Sequence, residues 1–197
     1  MLLYDHARSG NCYKVRLMLA HLAIPYERRE LSVTDKSNRP EILGGLNPAL
    51  RVPTLVLDDE RPLAESGAIL WYLGDGTEYV PADPYDGAKV LQWMFFEQYS
   101  HEPYVAVARF WLTKGIEVEP DVLAERRRVG YLALDAMESH LAGHEFLAGG
   151  AYSIADIALY AYTHVADEGG FDLGGYPAIR AWLGRVAAQP RHVPITA

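Results

Sequence analysis

The feature that most constrains the fold is a single change of pattern along the chain, at residues 74–87. Before it, short apolar runs typical of strands alternate with apolar residues at helical spacing, whereas after it only the helical spacing continues. The stretch itself shows neither period and is rich in glycine and proline among acidic residues. We therefore predict an interdomain linker over 76–87, between a mixed domain at 1–75 and an all-helical domain at 88–197.

The mixed domain is predicted to contain one sheet with helices packed against it. Its apolar runs follow the order β-α-β, an irregular segment, then β-β-α. The predicted strands cover 1–4, 26–31, 54–57 and 62–64, and the predicted helices cover 12–23 and 66–73. In the helical domain, the predicted helices cover 88–113 (with a kink at Pro103), 121–141, 154–165 and 178–188.

The composition limits the classes of function. The 197 residues carry 18 Lys and Arg against 26 Asp and Glu, and the net charge of −8 argues against a protein that binds nucleic-acid phosphates. One cysteine excludes an intrachain disulfide and a thiolate zinc cluster, and we expect no metal. The sequence shows neither an apolar stretch of membrane-spanning length nor a leader, so we expect a soluble, cytoplasmic protein without a membrane partner.

The first candidate site is the loop Ser9, Gly10, Asn11 and Cys12, between the first strand and the first helix. The helix start exposes unpaired N–H groups and favours negative charge, so the Ser9 hydroxyl could donate to an anion and a bound thiol would shift toward thiolate. Equally, Ser9 and Asn11 are common helix caps. Cys12 is either an acidic, reactive thiol or a small buried hydrophobe.

Two further sites fit either a ligand or a structural role. With a cis bond between Val52 and Pro53, the backbone of Val52 would face outward and could pair with an extended peptide; otherwise Pro53 only starts a strand. Ser66 is a predicted N-cap, and this helix start could bind a carboxylate while Glu65 meets an ammonium, as an amino-acid head group requires. The alternative is a capped helix with an exposed Glu65.

Together these motifs resemble the soluble glutathione transferase family, in its bacterial, serine-type classes with a theta-, delta- or zeta-like loop. The resemblance covers nearly the whole chain and depends on the order and spacing of the motifs. They are Ser9 after the first strand, Asn47-Pro48 before Val52-Pro53-Thr54-Leu55, Glu65-Ser66-Gly67-Ala68-Ile69 before Tyr72-Leu73, the capping box Ser153-Ile154-Ala155-Asp156, and Tyr176-Pro177-Ala178-Ile179.

The resemblance implies a thioredoxin-like N-terminal domain of order β-α-β-α-β-β-α, followed by an all-helical domain that supplies a pocket for a small hydrophobic electrophile. It also implies a homodimer that uses glutathione as co-substrate without a metal. The implied reaction is activation of glutathione as thiolate and its conjugation to the electrophile, as in detoxification. Ser9 and Asn11 are the implied catalytic residues, beside the glutathione sulfur.

The resemblance also assigns the binding residues. Those implied for glutathione are Ser9, Asn11, Arg51, Val52, Pro53, Glu65 and Ser66. Among them, Val52 matches the residue that pairs with the cysteinyl backbone, and Glu65 and Ser66 match the pair that holds the γ-glutamyl group. We expect the electrophile pocket between the Ser9 loop and the first long helix, and its candidate residues are Tyr104, Arg109 and Trp111. The alternative for Trp111 is packing in the helical core.

Two other functions stay open. Asn11 and Cys12 are also compatible with a glutathione-dependent disulfide reductase or peroxidase. A chain with this fold can also be a non-enzymatic module that binds glutathione or serves in assembly, because fold alone does not determine function.

Overall fold

The computed structural model describes residues 1–148 and 150–197. They form two compact units, Met1–Asp75 with Pro190–Ala197, and Gly76–Gln189. The first unit is thioredoxin-like, with a mixed sheet and helices, and the second unit is helical. The predicted fold class is therefore confirmed.

The first unit contains a four-stranded mixed sheet. Its elements are β1 (Leu2–Asp5), α1 (Gly10–His21), β2 (Glu27–Glu30), α2 (Arg39–Leu43), β3 (Thr54–Val56), β4 (Pro62–Ala64) and α3 (Ser66–Gly74). The strand order is β2-β1-β3-β4, with β1 parallel to β2 and antiparallel to β3, and β3 antiparallel to β4. The parallel pair needs a crossover connection, which α1 supplies.

Apolar side chains fill the middle of this sheet. Leu3 on β1 lies opposite Leu55 on β3, and both are fully buried. Tyr4, Leu31 and Leu43 form a further buried cluster. In contrast, β2 has the sequence Glu-Arg-Arg-Glu and is exposed along its length. As an edge strand it needs no apolar face, and its charges discourage pairing with another chain.

The helix α2 lies in the segment that the sequence analysis leaves irregular. It has only five residues, which is too few to show a hydrophobic period. Pro40 occupies its first turn, where the missing N–H of proline has no partner to lose. With α2, the unit has the full order β-α-β-α-β-β-α.

Residues Pro190–Ala197 pack with the first unit, although the sequence analysis placed them in the helical domain. The Tyr13 hydroxyl donates to the carbonyl of Val193 at 2.7 Å. The Arg16 guanidinium donates to the carbonyl of Ile195 at 2.6 Å. Tyr13 and Arg16 are buried, so these carbonyls satisfy polar groups that water does not reach. This requirement explains why the tail belongs to the first unit.

The second unit is built from helices. They are α4 (Pro84–Phe96), a π-helical segment (Glu97–His101), α5 (Glu102–Thr113), α6 (Pro120–Leu141), α7 (Ile154–Thr163), a 3₁₀ segment (Ala166–Gly169) and α8 (Pro177–Ala187). The start of α4 lies inside the predicted linker, because Asp83 caps the helix and Pro84 fits its first turn. The helix predicted to kink at Pro103 instead opens into the π-helical segment just before it, since proline lacks an N–H and crowds the preceding turn.

The helix α7 is buried along its whole length and begins with the predicted capping box. Ser153 Oγ accepts the N–H of Ala155 at 3.3 Å, and Asp156 Oδ2 accepts the N–H of Ser153 at 3.0 Å. Asp156 Oδ1 accepts the N–H of Leu147 at 3.0 Å and the indole N–H of Trp182 at 2.9 Å. Burial raises the pKa of Asp156 to about 6, and these hydrogen bonds oppose the rise. The carboxylate therefore connects α7 to the preceding segment and to α8.

Within residues 1–148 and 150–197, each helix is too short or too polar to cross a bilayer. Over the same part of the chain, no group of three or more His, Cys, Asp or Glu side chains is arranged to hold a metal ion.

Candidate functional site

The first part of the candidate site is the N-terminus of α1, where Ser9 is the N-cap. Ser9 Oγ accepts the N–H of Cys12 at 3.3 Å, so the predicted capping role is present. A hydroxyl that accepts one hydrogen bond still carries a proton that it can donate. The first turn of α1 has no acidic side chain, so none neutralises the positive end of the helix dipole there. This position can therefore bind an anion and also donate a hydroxyl hydrogen bond to it.

Asn11 connects this helix start to the start of α3, which is 55 residues further along the chain. Asn11 Oδ1 accepts the hydroxyl of Ser66 at 3.0 Å and the ammonium of Lys14 at 2.7 Å. Ser66 and Lys14 are both almost fully buried. The structure thus brings together two motifs that the sequence analysis considered separately, one around Ser9 and one at Glu65.

The start of α3 differs from the prediction in one respect. Ser66 is the first helical residue, and Glu65 occupies the N-cap position with φ 66° and ψ 118°. Residues other than glycine rarely adopt this backbone, which costs about 1–3 kcal/mol and is most often found at functional sites. The Ser66 hydroxyl bonds to Asn11 instead of capping the helix. Glu65 is exposed and makes no capping hydrogen bond, so its carboxylate is accessible to a ligand.

The third part of the candidate site is the turn before β3. The Val52–Pro53 peptide bond is cis, and Val52 is partly exposed while Pro53 is buried. Asn47 Nδ2 donates to the carbonyl of Arg51 and to Thr54 Oγ1, both at 3.0 Å. The Arg51 side chain is exposed. The buried Asn47 amide therefore fixes the backbone of this turn, a role that the sequence analysis did not identify.

Cys12 is fully buried directly after the Ser9 loop. Burial raises the pKa of its thiol well above the ordinary value, and the nearby Asp5 carboxylate adds to the rise. Because only a thiolate is a good nucleophile, this thiol is not activated for reaction. The structure therefore supports the interpretation of Cys12 as a small buried hydrophobe.

Lys14 is the main residue of this region that the sequence analysis missed. Helical periodicity treats it only as a polar position, yet 1% of its surface is exposed because α1 is covered on nearly all sides. Long charged side chains are rarely buried to this degree without a specific partner. Its position could have identified it in the sequence, because Lys14 lies about one turn after Ser9 and Asn11 at the same helix start.

Two cavities in the second unit lie side by side and share Tyr104 and Val129. The first has a volume of about 460 Å³ and is lined by Tyr104, Asp121, Val122, Glu125, Arg126 and Val129. The second has a volume of about 290 Å³ and is lined by Phe96, Tyr99, Ser100, Tyr104, Val129, Leu132 and Ala133. Apolar and aromatic linings with a few charged groups are typical of sites for small hydrophobic ligands.

Arg126 contacts two of the three residues proposed for the electrophile pocket, Tyr104 and Trp111. Its guanidinium carbon lies 5.5 Å from the centre of the Tyr104 ring and 5.1 Å from that of the Trp111 ring. In sequence, Arg126 belongs to a charged run at 125–128 that is typical of a solvated face, and no periodic signal reveals its aromatic contacts. The structure adds this cation–π contact to the two aromatic residues.

Arg109 has a different environment. It is buried, and its Nε donates to Glu168 Oε2 in the 3₁₀ segment at 2.9 Å. Removing one partner of a buried ion pair leaves the other charge uncompensated. These contacts support a structural role for Arg109.

Two family models match the chain. Residues 8–75 match the glutathione S-transferase N-terminal domain, and residues 93–190 match the glutathione S-transferase C-terminal domain. The first match includes the starts of α1 and α3, and the second includes α5 to α8.

Individual proteins are similar over nearly the full length. A crystal structure of a glutathione S-transferase from Pseudomonas fluorescens is 50% identical, with a TM-score of 0.96, over 100% of this chain and 98% of the other. The disulfide-bond oxidoreductase YfcG of Escherichia coli (strain K12) is 28% identical, over 93% of this chain and 89% of YfcG. The glutathione transferase URE2P8 of Phanerochaete chrysosporium, crystallised with oxidised glutathione, is 26% identical, with a TM-score of 0.85. The match covers 96% of this chain and 90% of the URE2P8 chain.

Proposed function

Because this chain belongs to the glutathione S-transferase family, we propose that it binds glutathione, ionises its thiol and transfers the thiolate to a small hydrophobic electrophile. The observation that supports this proposal best is the hydrogen bond between Ser66 and Asn11, which joins the N-termini of α1 and α3. Two helix N-termini without acidic side chains in their first turns then lie next to each other. This arrangement suits a ligand with separated negative groups, as glutathione has with its thiolate and its carboxylates.

The proposed chemistry is electrostatic stabilisation of the sulfur anion. A free thiol has a pKa of about 8.5, and lowering it by about 2 units, or about 2.7 kcal/mol, makes it mainly thiolate at neutral pH. The Ser9 hydroxyl and the Asn11 side chain donate to the sulfur, and each such bond to a charged group contributes about 1.5–3 kcal/mol. The thiolate then attacks the electrophilic carbon, a C–S bond forms, and the leaving group departs with its electron pair.

The remaining contacts hold the tripeptide. The γ-glutamyl carboxylate binds at the start of α3 beside Ser66, and its ammonium binds the exposed carboxylate of Glu65. The backbone of Val52, next to Pro53, pairs with the cysteinyl residue, and Arg51 supplies a positive charge nearby. The strained backbone of Glu65 supports this assignment, because such strain persists where the surrounding structure fixes a functional side chain.

For the electrophile we propose a site that includes Tyr104 and Trp111. Their contact with Arg126 and the cavity at Tyr104 support an aromatic or otherwise apolar ligand. Arg109 remains a weaker candidate, because its ion pair with Glu168 already accounts for its buried charge.

The second candidate function is reduction of disulfides by glutathione. The similarity to YfcG and the presence of Asn11 at the α1 N-terminus favour it. The glutathione thiolate attacks one sulfur of the disulfide, the other sulfur leaves as thiolate, and a second glutathione resolves the mixed disulfide to oxidised glutathione. Cys12 takes no part in this scheme, because its thiol is buried and its pKa is raised.

The proposal is tested by the ultraviolet difference absorbance of bound glutathione thiolate, titrated against pH. In the native protein we expect a thiol pKa about 2 units below its solution value. Ser9→Ala and Asn11→Ala should each raise it and lower turnover more than glutathione affinity, whereas Ser139→Ala, at an exposed serine of α6, should change neither. Binding without a pKa shift would instead support a non-enzymatic glutathione-binding module.

Turnover distinguishes the two enzymatic candidates. A higher kcat/KM for an aryl halide than for a mixed disulfide or hydroperoxide supports conjugation, and the reverse order supports the reductase. We also propose a homodimer, on the basis of the family. Light scattering tests this against the monomer mass of 22.0 kDa.

A further inference from the structure

Lys14 is a buried cation in α1, the helix whose N-terminus forms part of the proposed site for the glutathione thiolate. It lies in α1 with 1% of its surface exposed, and its Nζ is 2.7 Å from Asn11 Oδ1. Burying an ammonium group is costly unless hydrogen bonds replace its lost hydration. The bond to Asn11 is therefore a strong one, between a charged donor and an amide oxygen.

The hydrogen bond from Lys14 fixes the orientation of the Asn11 amide. An ammonium group can only donate, so the Asn11 atom that faces Lys14 must be the oxygen. Ser66 Oγ lies 3.0 Å from the same oxygen and can donate to it. Because the two ends of a planar amide point in different directions, Nδ2 is directed away from both donors. Asn11 therefore presents N–H groups, which only donate, on its other side.

We infer that Lys14 is a positioning residue, which with Ser66 orients the Asn11 amide so that its Nδ2 donates to the glutathione sulfur. A donor stabilises a thiolate and lowers its pKa, whereas a rotated amide would bring its oxygen to the sulfur and raise the pKa. This inference rests on the proposed glutathione site. It makes Asn11 the group that contacts the sulfur and Lys14 a residue that acts through Asn11.

The first test is the pKa of bound glutathione thiol in Lys14→Met, a variant with a side chain of similar length but no charge and no donor. We expect the thiol pKa to rise by about 1 unit and turnover at neutral pH to fall about tenfold, with glutathione affinity changed less than about threefold. Lys14→Arg, which keeps the donors and the charge, should restore most of the shift. Lys114→Met, at an exposed lysine, is the matched control and should behave like the native protein.

A double-mutant cycle separates positioning from a direct effect of charge. If Lys14 acts through Asn11, Lys14→Met should change the thiol pKa little in a protein that already carries Asn11→Ala. Equal effects of Lys14→Met with and without Asn11 would overturn the inference, because Lys14 would then act on the sulfur by charge alone. Circular dichroism and urea unfolding check that each variant is folded. Ser66→Ala gives a second measurement, in which we expect a smaller rise of the thiol pKa.

The native protein gives the outcome that separates this inference from the proposed function. An unshifted thiol pKa in the native protein would refute both. A lowered thiol pKa in the native protein that persists in folded Lys14→Met would refute the role of Lys14 alone.

Discussion

Replacement of Asp156 by alanine tests how strongly the capping box holds the helical unit together. One oxygen of Asp156 accepts the N–H of Leu147 and the indole N–H of Trp182, and the other accepts the N–H and the hydroxyl of Ser153. Asp156 and Ser153 are almost completely buried. Asp156→Ala therefore leaves three N–H groups without their acceptor, on three separate segments of the unit.

The expected loss follows from these donors. A buried donor left without a partner costs about 1–3 kcal/mol, so three of them cost about 3–9 kcal/mol. Water that enters the space of the deleted carboxylate compensates part of this cost. We therefore expect Asp156→Ala to lower the free energy of unfolding by about 3–5 kcal/mol, a large share of the roughly 5–15 kcal/mol that is usual for a folded protein. For Asp156→Asn we expect about 1–3 kcal/mol, because the amide oxygen still accepts one pair of donors.

The measurement is urea unfolding at about pH 7.5, where Asp156 is ionised, with the m-value checked for each variant. Asp83→Ala is the control, since Asp83 also caps a helix and accepts the N–H groups of Tyr85 and Asp86, but is exposed. We expect it to cost about 1 kcal/mol. If Asp156→Ala costs no more than Asp83→Ala, burial does not strengthen this capping box, and the reasoning fails.

Two further predictions follow from pKa values in the structure. Burial raises the pKa of Asp156 from its ordinary 3.8 to about 6, so the folded protein favours the neutral form of this group. The stabilisation from protonated Asp156 is therefore complete below about pH 4. The free energy of unfolding then falls by about 3 kcal/mol as the pH rises through 6. Urea unfolding across this range should show that decline in the native protein but not in Asp156→Asn. If the free energy of unfolding changes equally with pH in both proteins, this prediction is wrong. The buried Cys12 thiol, with its raised pKa, should react with an aromatic disulfide reagent about 100-fold more slowly in the native protein than in denaturant; equal rates would show an accessible thiolate.

Periodicity predicted the regular elements because it depends on local sequence. The strands and α1 and α3 lie close to their predicted positions, since each has several residues that alternate or recur at a helical spacing. It missed α2, which has one turn and a proline, and it placed the start of α4 too late. At the start of α4, Pro84 was interpreted as part of the linker, although proline is favoured in the first turn of a helix.

Sequence reasoning was weaker for the candidate site, because its geometry depends on distant partners. It selected Ser9, Asn11 and Ser66 by their places at helix starts and by the family resemblance. It did not detect the hydrogen bond between Asn11 and Ser66, which joins residues 55 positions apart, or the buried position of Lys14. A hydrophobic pattern records which faces of a helix are apolar, but it does not identify the groups that satisfy a buried cation.

The return of Pro190–Ala197 to the first unit has a consequence for how this protein is made. The ribosome releases Met1–Asp75 before Pro190–Ala197, so the buried Tyr13 and Arg16 reach the carbonyls of Val193 and Ile195 only after Gly76–Gln189 has been synthesised. At about 5–20 residues per second, that interval is on the order of ten seconds. During it, Arg16 keeps its bonds to Asp5 and to the carbonyl of Ala7, and water or a chaperone takes the place of the carbonyls of Val193 and Ile195. The nascent first unit therefore reaches its final packing only after Pro190–Ala197 has been synthesised.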